Sequence, residues 1–354
     1  MFFIFCFSGI IYAEEWNDPL GKADLLLFSS HADDEHLFFA GVLPYCVANE
    51  IKAQVVYTTN HNDNPIRNTE LLQGLWAVGI RNKPVISRFP DLFSESLEEA
   101  LRAYKSRGFT EDDFIVFCVE NIRRFKPQVA VGHDINGEYG HGTHILSSRA
   151  LMKAVVLAGD ENYHKKSFAE YGVWDTPKTY INLWNERRIS LSINEPLHFF
   201  NGKTAFQVSQ YGFTYHKSQH WTWFNGWLNG TAQSPIRNSK QIRRYQPGNY
   251  GLYRTVVGED SADAADFFEN TVLIKDIKRL KDILKGVIEK IAVKTESAAE
   301  AEDTVIAEAQ GEPENDIKPE KFENIQLYLK LIPVFIIILA AVLLLFLRNR
   351  SKSM

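Results

Sequence analysis

Cysteine is scarce in this chain of 354 residues, which contains three. Cys6 falls in an N-terminal apolar run, so only Cys46 and Cys118 are left for the body of the protein, and no C-x-x-C pair exists to frame a zinc site. Two cysteines in apolar settings read as buried thiols more readily than as a bridge, although an exported protein could pair them. Positive charge is not in excess either. Lys and Arg number 39 against 44 Asp and Glu, a net charge of -5, which removes the basic footprint of a nucleic-acid binder. Internal repeats are absent as well. What the chain does have is apolar material: hydrophobic residues are 45% and aromatics 13%, enough for one core of roughly 230 to 270 residues plus appendages.

The appendages are legible at both ends. Residues 1–13 (MFFIFCFSGIIYA) resemble the apolar part of a signal peptide, with Ala13 as the small residue before cleavage, though no Lys or Arg precedes the run; a plain N-terminal apolar segment is the other reading. Residues 272–293 alternate apolar pairs with lysines at helical spacing, an amphipathic helix that packs on the domain or forms a coiled coil. Residues 294–326, rich in Glu, Ala, Asp and Pro, read as an acidic stalk. Residues 327–347 read as a transmembrane helix and 348–354 as a basic cytoplasmic tail. The charge asymmetry then predicts a membrane-anchored protein whose domain, residues 14–271, is extracytoplasmic.

Within that domain, Ala23 to Ser30 (ADLLLFSS) is a continuous apolar run ending in small polar residues, the pattern of a strand buried on both faces. Glu35 to Asn49 reads as a helix, Lys52 to Thr59 as a strand, Arg67 to Val78 and Glu111 to Phe125 as helices, and Gln128 to Gly132 as another strand. This alternation predicts an α/β fold, a Rossmann-like doubly wound and mostly parallel sheet, with its ligand outside the carboxyl ends of the strands.

Two polar clusters fall at such ends. His31-Ala32-Asp33-Asp34-Glu35 follows the first strand. A His and a carboxylate three apart can turn toward one ion while the Asp between them stays unligated, the inventory of a zinc hydrolase with a nearby general base; polar residues capping the next helix are the competing reading. The second cluster, His133 to His144, places His141 and His144 three apart at a helix start, on one face. Either histidine alone reads as a cap or a hydrogen-bonding group. Their coincidence with the first cluster favours a metal site. The aromatic run Trp221 to Trp227 (WTWFNGW) stacks on a sugar or fills core, with core slightly favoured. By spacing alone Arg67 reads as a surface helix partner of Glu70.

Four segments in order carry a further resemblance: SHADDE (Ser30 to Glu35), Arg67-Asn68-Thr69-Glu70, EYGHGTH (Glu138 to His144) and His216-Lys217-Ser218-Gln219. Over about Ala23 to His220 the chain resembles the PIG-L/LmbE-like zinc-dependent N-acetylglucosaminyl deacetylases, with Ala32 where that family usually has Pro. The resemblance implies His31, Asp34 and His144 as metal ligands for Zn2+, or another divalent ion such as Fe2+. It implies Asp33 as general base, His141 as an imidazolium that stabilises the oxyanion and protonates the leaving amine, and Arg67 and His216 as substrate-binding residues, with orienting the zinc shell or a structural part as the other readings of His216. Glu35 is expected in a supporting or helix-start role. The expected activity is removal of an N-acetyl group from an amino sugar or glycoconjugate. A catalytically silent carbohydrate-binding surface protein, and a hydrolase of a non-sugar amide or ester, are the alternatives.

Overall fold

The computed structural model describes residues 15–309, with side chains to 293. The chain divides into two units, residues 1–269 and 270–354.

The first unit is built on a seven-stranded sheet. Its strands are β1 (Leu25–Ser29), β2 (Ala53–Tyr57), β3 (Val85–Ile86), β4 (Val129–Gly132), β5 (Lys178–Asn182), β6 (Arg188–Ser190) and β7 (Asn249–Thr255), in the spatial order β3-β2-β1-β4-β5-β7-β6. The five from β3 to β5 are parallel, and β7 and β6 add antiparallel to one edge. The order reverses between β1 and β4, so the crevice outside their carboxyl ends is where such a sheet receives a ligand.

The helices are α1 (Val42–Ala48), α2 (Pro65–Ala77), α3 (Leu97–Ser106), α4 (Glu111–Phe125), α5 (Gly142–Leu157), α6 (Lys165–Tyr171), α7 (Ala205–Phe213) and α8 (Trp223–Asn229). Leu26, Phe28, Val56 and Ala130 face a core completed by Phe114, Val119 and Ile122 of α4 and by Leu146, Ala150 and Leu151 of α5. The alternate residues Leu25, Leu27 and Val55 are equally buried, and on that side α1 packs on β2 while α7 packs on both α1 and α2. Coverage of both faces explains why β1 and β2 are apolar without alternation. Helix α4 occupies the span expected of it, because Thr110 and Asp113 close a capping box at its start and Arg123 and Arg124 end it. Cys46 and Cys118 are free, buried thiols, and burial pushes both upward.

The helix expected over Glu35 to Asn49 is shorter. Residues 32–41 form consecutive turns, and α1 begins at Val42 after Gly41. Gly41 adopts φ 94, and a side chain there would strike Ile193, so a helix cannot run through it.

In the second unit, α9 (Ile274–Ala309) extends through the segment expected as the start of the stalk. Its run ESAAEAEDTVIAEA is dominated by Ala and Glu, both strong helix formers.

The expectation of a C-terminal transmembrane helix is corrected. No helix among the described residues is long and apolar enough to cross a membrane. The long one, α9, repeats Lys, Asp and Glu along its length, which the hydrocarbon interior would penalise heavily. The segments 1–13, 327–347 and 348–354 lie outside the described residues. The membrane anchor, the extracytoplasmic placement and the membrane as partner are withdrawn with the helix.

Candidate metal centre and active site

The turn after β1 is organised by side chains that take its backbone N–H groups. Ser30 N–H donates to His133 Nε2 at 2.9 Å and Ala32 N–H to His61 Nε2 at 3.0 Å. His31 N–H donates to Asp34 Oδ2 at 2.7 Å, and Asp33 N–H to Glu35 Oε2 at 2.9 Å. These bonds explain why the motif is a turn instead of a helix. They also hold Asp33 at φ 119, a strained conformation for a non-glycine residue that persists only where its surroundings over-determine it.

Three donor atoms converge from this turn and from α5. His31 Nδ1 lies 3.0 Å from His144 Nε2 and 3.2 Å from Asp34 Oδ2, and His144 Nε2 lies 3.3 Å from Asp34 Oδ2. Metal bonds of about 2.0–2.1 Å in tetrahedral geometry put ligand atoms roughly 3.3–3.4 Å apart, so the triangle fits one small divalent ion. His144 Nδ1 donates to Glu138 Oε2 at 2.7 Å, which leaves its Nε2 lone pair facing the triangle and supplies the carboxylate that commonly orients a ligating histidine. His31 Nε2 faces Asp91 Oδ1 at 3.2 Å. The surrounding field favours positive charge. Although burial opposes it, Asp91 and Asp34 push His31 up to about 10, and Asp34 and Glu138 push His144 up to about 9. Burial likewise opposes ionisation of Asp34, yet His144 and His31 hold it well below the ordinary range.

Asp33 is not part of the triangle. Burial pushes its carboxyl up to about 7, against the pull of Arg67, which is the range a general base requires near neutrality. Arg67 donates to Ala32 O at 2.6 Å and reaches Asp33 Oδ1 and Asp91 Oδ2, each at 3.3 Å. It is therefore tied to the turn and not to Glu70. Glu70 is buried and accepts from Ser218 N–H at 2.8 Å and from its hydroxyl at 2.6 Å, joining the second and fourth motifs across 148 positions of sequence.

His141 caps α5, its Nδ1 accepting from Thr143 N–H at 3.1 Å. Burial first, then the charges of His31 and His144, lower it to about 2. Its ring is accordingly neutral with Nε2–H as the free donor, whereas an imidazolium would have to give up the Thr143 bond. His216 departs further from expectation. It is fully buried, does not line the cavity, and faces Glu35 Oε1 at 3.2 Å beside His36. The residue of that motif that reaches the cavity is Gln219.

The cavity over the triangle holds about 420 Å³, with Arg67, Asp91 and His141 near His31 and Asp34 and an aromatic wall of Tyr139, Trp221, Trp223 and Phe224. Trp221 is 83% exposed and Trp223 49%, so these two, expected as core, are at the surface, while Trp227 is half-buried against Phe38. A wider groove of about 720 Å³ along α5, lined by Ile145, Met152 and Val156, contains none of these groups. Sequence reasoning missed Asp91, which follows a two-residue strand too short to recognise, and assigned no role to Glu138 despite its place in EYGHGTH.

Residues 26–155 match the family model described as PIG-L: GlcNAc-PI de-N-acetylase. The resemblance to the PIG-L/LmbE family holds. Among curated proteins, the PIG-L-like region is similar to a 1D-myo-inositol 2-acetamido-2-deoxy-alpha-D-glucopyranoside deacetylase 1 of Catenulispora acidiphila, 39% identical over 184 residues, covering 46% of this chain and 56% of the relative. It is also similar to a deacetylase of the same description from Streptomyces scabiei, 26% identical, covering 47% of this chain and 58% of the relative. The chain thus spans little more than half the length of these relatives. Of solved structures, N,N'-diacetylchitobiose deacetylase from Pyrococcus horikoshii aligns with a TM-score of 0.43 at 12% identity, covering 66% of this chain and 85% of that one.

Proposed function

We propose that the protein is a metal-dependent N-deacetylase that hydrolyses the acetamido group of an amino sugar or glycoconjugate, with residues 14–271 as the catalytic domain. The observation that carries this reading is the buried Asp33 carboxylate lining the cavity beside a His31–Asp34–His144 triangle of the right size for one ion. Two imidazoles and a carboxylate suit Zn2+, and Fe2+ also fits that donor set. When bound, the ion supplies Lewis acidity toward a water and the amide carbonyl.

The remaining work falls to the chain. Asp33 accepts the proton of the attacking water, and its carboxyl near 7 then holds a proton it can release to the departing amine. His141 donates from Nε2–H to the developing oxyanion as a neutral ring, since Thr143 N–H occupies Nδ1. Arg67 keeps Asp33 ionised and aimed, and its guanidinium edge in the cavity is placed to meet sugar hydroxyls. The strained backbone at Asp33 is held by the Glu35 carboxylate, itself steadied by His216.

Acetate release from N-acetylated sugars by the purified chain tests this reading. Chelation should abolish turnover and added Zn2+ restore it, while Asp33→Asn lowers kcat by about 10²–10⁴-fold with metal content intact. Turnover indifferent to both treatments would sink the mechanism.

A further inference from the structure

Helix α9 keeps large aliphatic side chains in the open. Ile277, Ile283, Val287 and Ile288 are between 42% and 54% exposed, with Leu280 and Leu284 half-buried between them. Apolar residues scattered singly over a surface need no explanation, but these form one stripe, and a contiguous stripe marks an interaction surface. The spacing says what kind of surface fits it. Ile277, Leu280, Leu284, Val287 and Ile291 follow one another at steps of three, four, three and four, a repeat of 3.5 residues, which is the seam of helices that supercoil around one another. The opposite face agrees, since Lys278, Arg279, Asp282, Lys285 and Glu289 are charged, and Lys285 pairs with Glu289 at 3.9 Å.

The flanks of the seam identify the partner helix. With Ile277, Leu284 and Ile291 at the a positions and Leu280 and Val287 at d, the bordering g and e positions are Asp276, Lys281, Ile283 and Ile288. In a parallel, in-register pair each g position meets the e position five residues further along the other helix. Asp276 then faces Lys281 of a second copy, and Ile283 faces its Ile288, so the stripe is complementary to itself in charge and in apolar surface. Run antiparallel along the same seam, the two copies would set Lys281 against Lys281. Isoleucine at a, in Ile277 and Ile291, with leucine at d, in Leu280, favours two strands. We propose that α9 joins the protein to a second copy of itself as a parallel two-stranded coiled coil along the seam from Ile277 to Ile291. The proposal stands whether or not the first unit is a deacetylase.

The test measures the mass of the full chain in solution by sedimentation or light scattering at micromolar concentration, where particles of two chains are expected. Leu284→Lys combined with Val287→Lys places charge at one a and one d position and should raise the dissociation constant about a hundredfold or more. Lys278→Glu, on the outer face, should leave the pair intact. Neither seam residue is fully buried in the single chain, and all seven tryptophans lie in the first unit, so their fluorescence reports whether that unit stays folded. Asp276→Lys should weaken the pair several-fold, and adding Lys281→Asp should restore it. Val287→Cys reads the direction of the strands: on mild oxidation, parallel copies link covalently through that d position, beyond any linking of the unmodified chain. Particles of one chain or of three, a pair that survives the two seam substitutions, or a Val287→Cys chain that fails to cross-link overturns the proposal.

Discussion

Two groups of histidine and carboxylate flank the same turn, and they differ in what can reach them. Asp34 points toward His31 and His144 at the floor of a cavity; Glu35, its neighbour in sequence, points toward His36 and His216 in a sealed interior. The seal has a clear origin. Gly74 of α2 presses against the His36 and His216 rings, and Gly212 of α7 against His36, so closely that a Cβ at either position would strike them. Both acids are more acidic than burial alone would allow, Asp34 through His144 and His31, Glu35 through His36 and His216. The same residue types thus yield a reactive site where the fold leaves space, and a brace where it does not. Histidine beside carboxylate is not sufficient evidence of chemistry; access decides.

That contrast can be broken or sharpened by substitution. The largest effect is expected at the open group: His144→Ala should eliminate stoichiometric metal and turnover together, measured by metal content and acetate release, with the fold retained by circular dichroism. At the sealed group, His216→Ala should keep its metal but lose about 1–3 kcal/mol of unfolding free energy in denaturant titration, since the buried Glu35 carboxylate is left without its nearest imidazole. A stable His216→Ala chain that has lost its metal would reverse the assignment of the two groups. Glu138→Gln should have an intermediate effect, weakening metal affinity about 10–100-fold in a chelator competition, because the carboxylate steadying His144 loses its charge. The smallest effect concerns pH. Activity requires ionised Asp33, so kcat/KM should fall as pH drops through about 7. Arg67 pulls that carboxyl down, so Arg67→Met should move the acid limb to higher pH; a limb that stays put would show that another group sets it.

The parallel strands were readable because β1 and β2 are buried on both faces and carry unbroken apolar runs, and α4 was readable because its cap and charges are local. The turn over 32–41 was misread as helix. Its backbone partners are side chains such as His61 and His133, distant in sequence and without a local signature. Arg67 was ambiguous for a related reason: Glu70, its supposed partner one helical turn away, is claimed by Ser218. His216 was expected against substrate because motif membership carries no information about which way a side chain faces.

By itself the sequence determined the identity and order of the reactive groups. The run SHADDE at a strand end and the H-x-x-H at a helix start name their chemistry through residue type and spacing, and both are local properties. Only the tertiary structure decided which of these groups meet and which of them are reached. Asp91 and Glu138 join the site, His216 withdraws from it, and Trp221 and Trp223 turn outward to its rim. Apart from the local Glu138–His144 bond, those outcomes depend on contacts between segments distant in sequence, and on the volume left between packed helices.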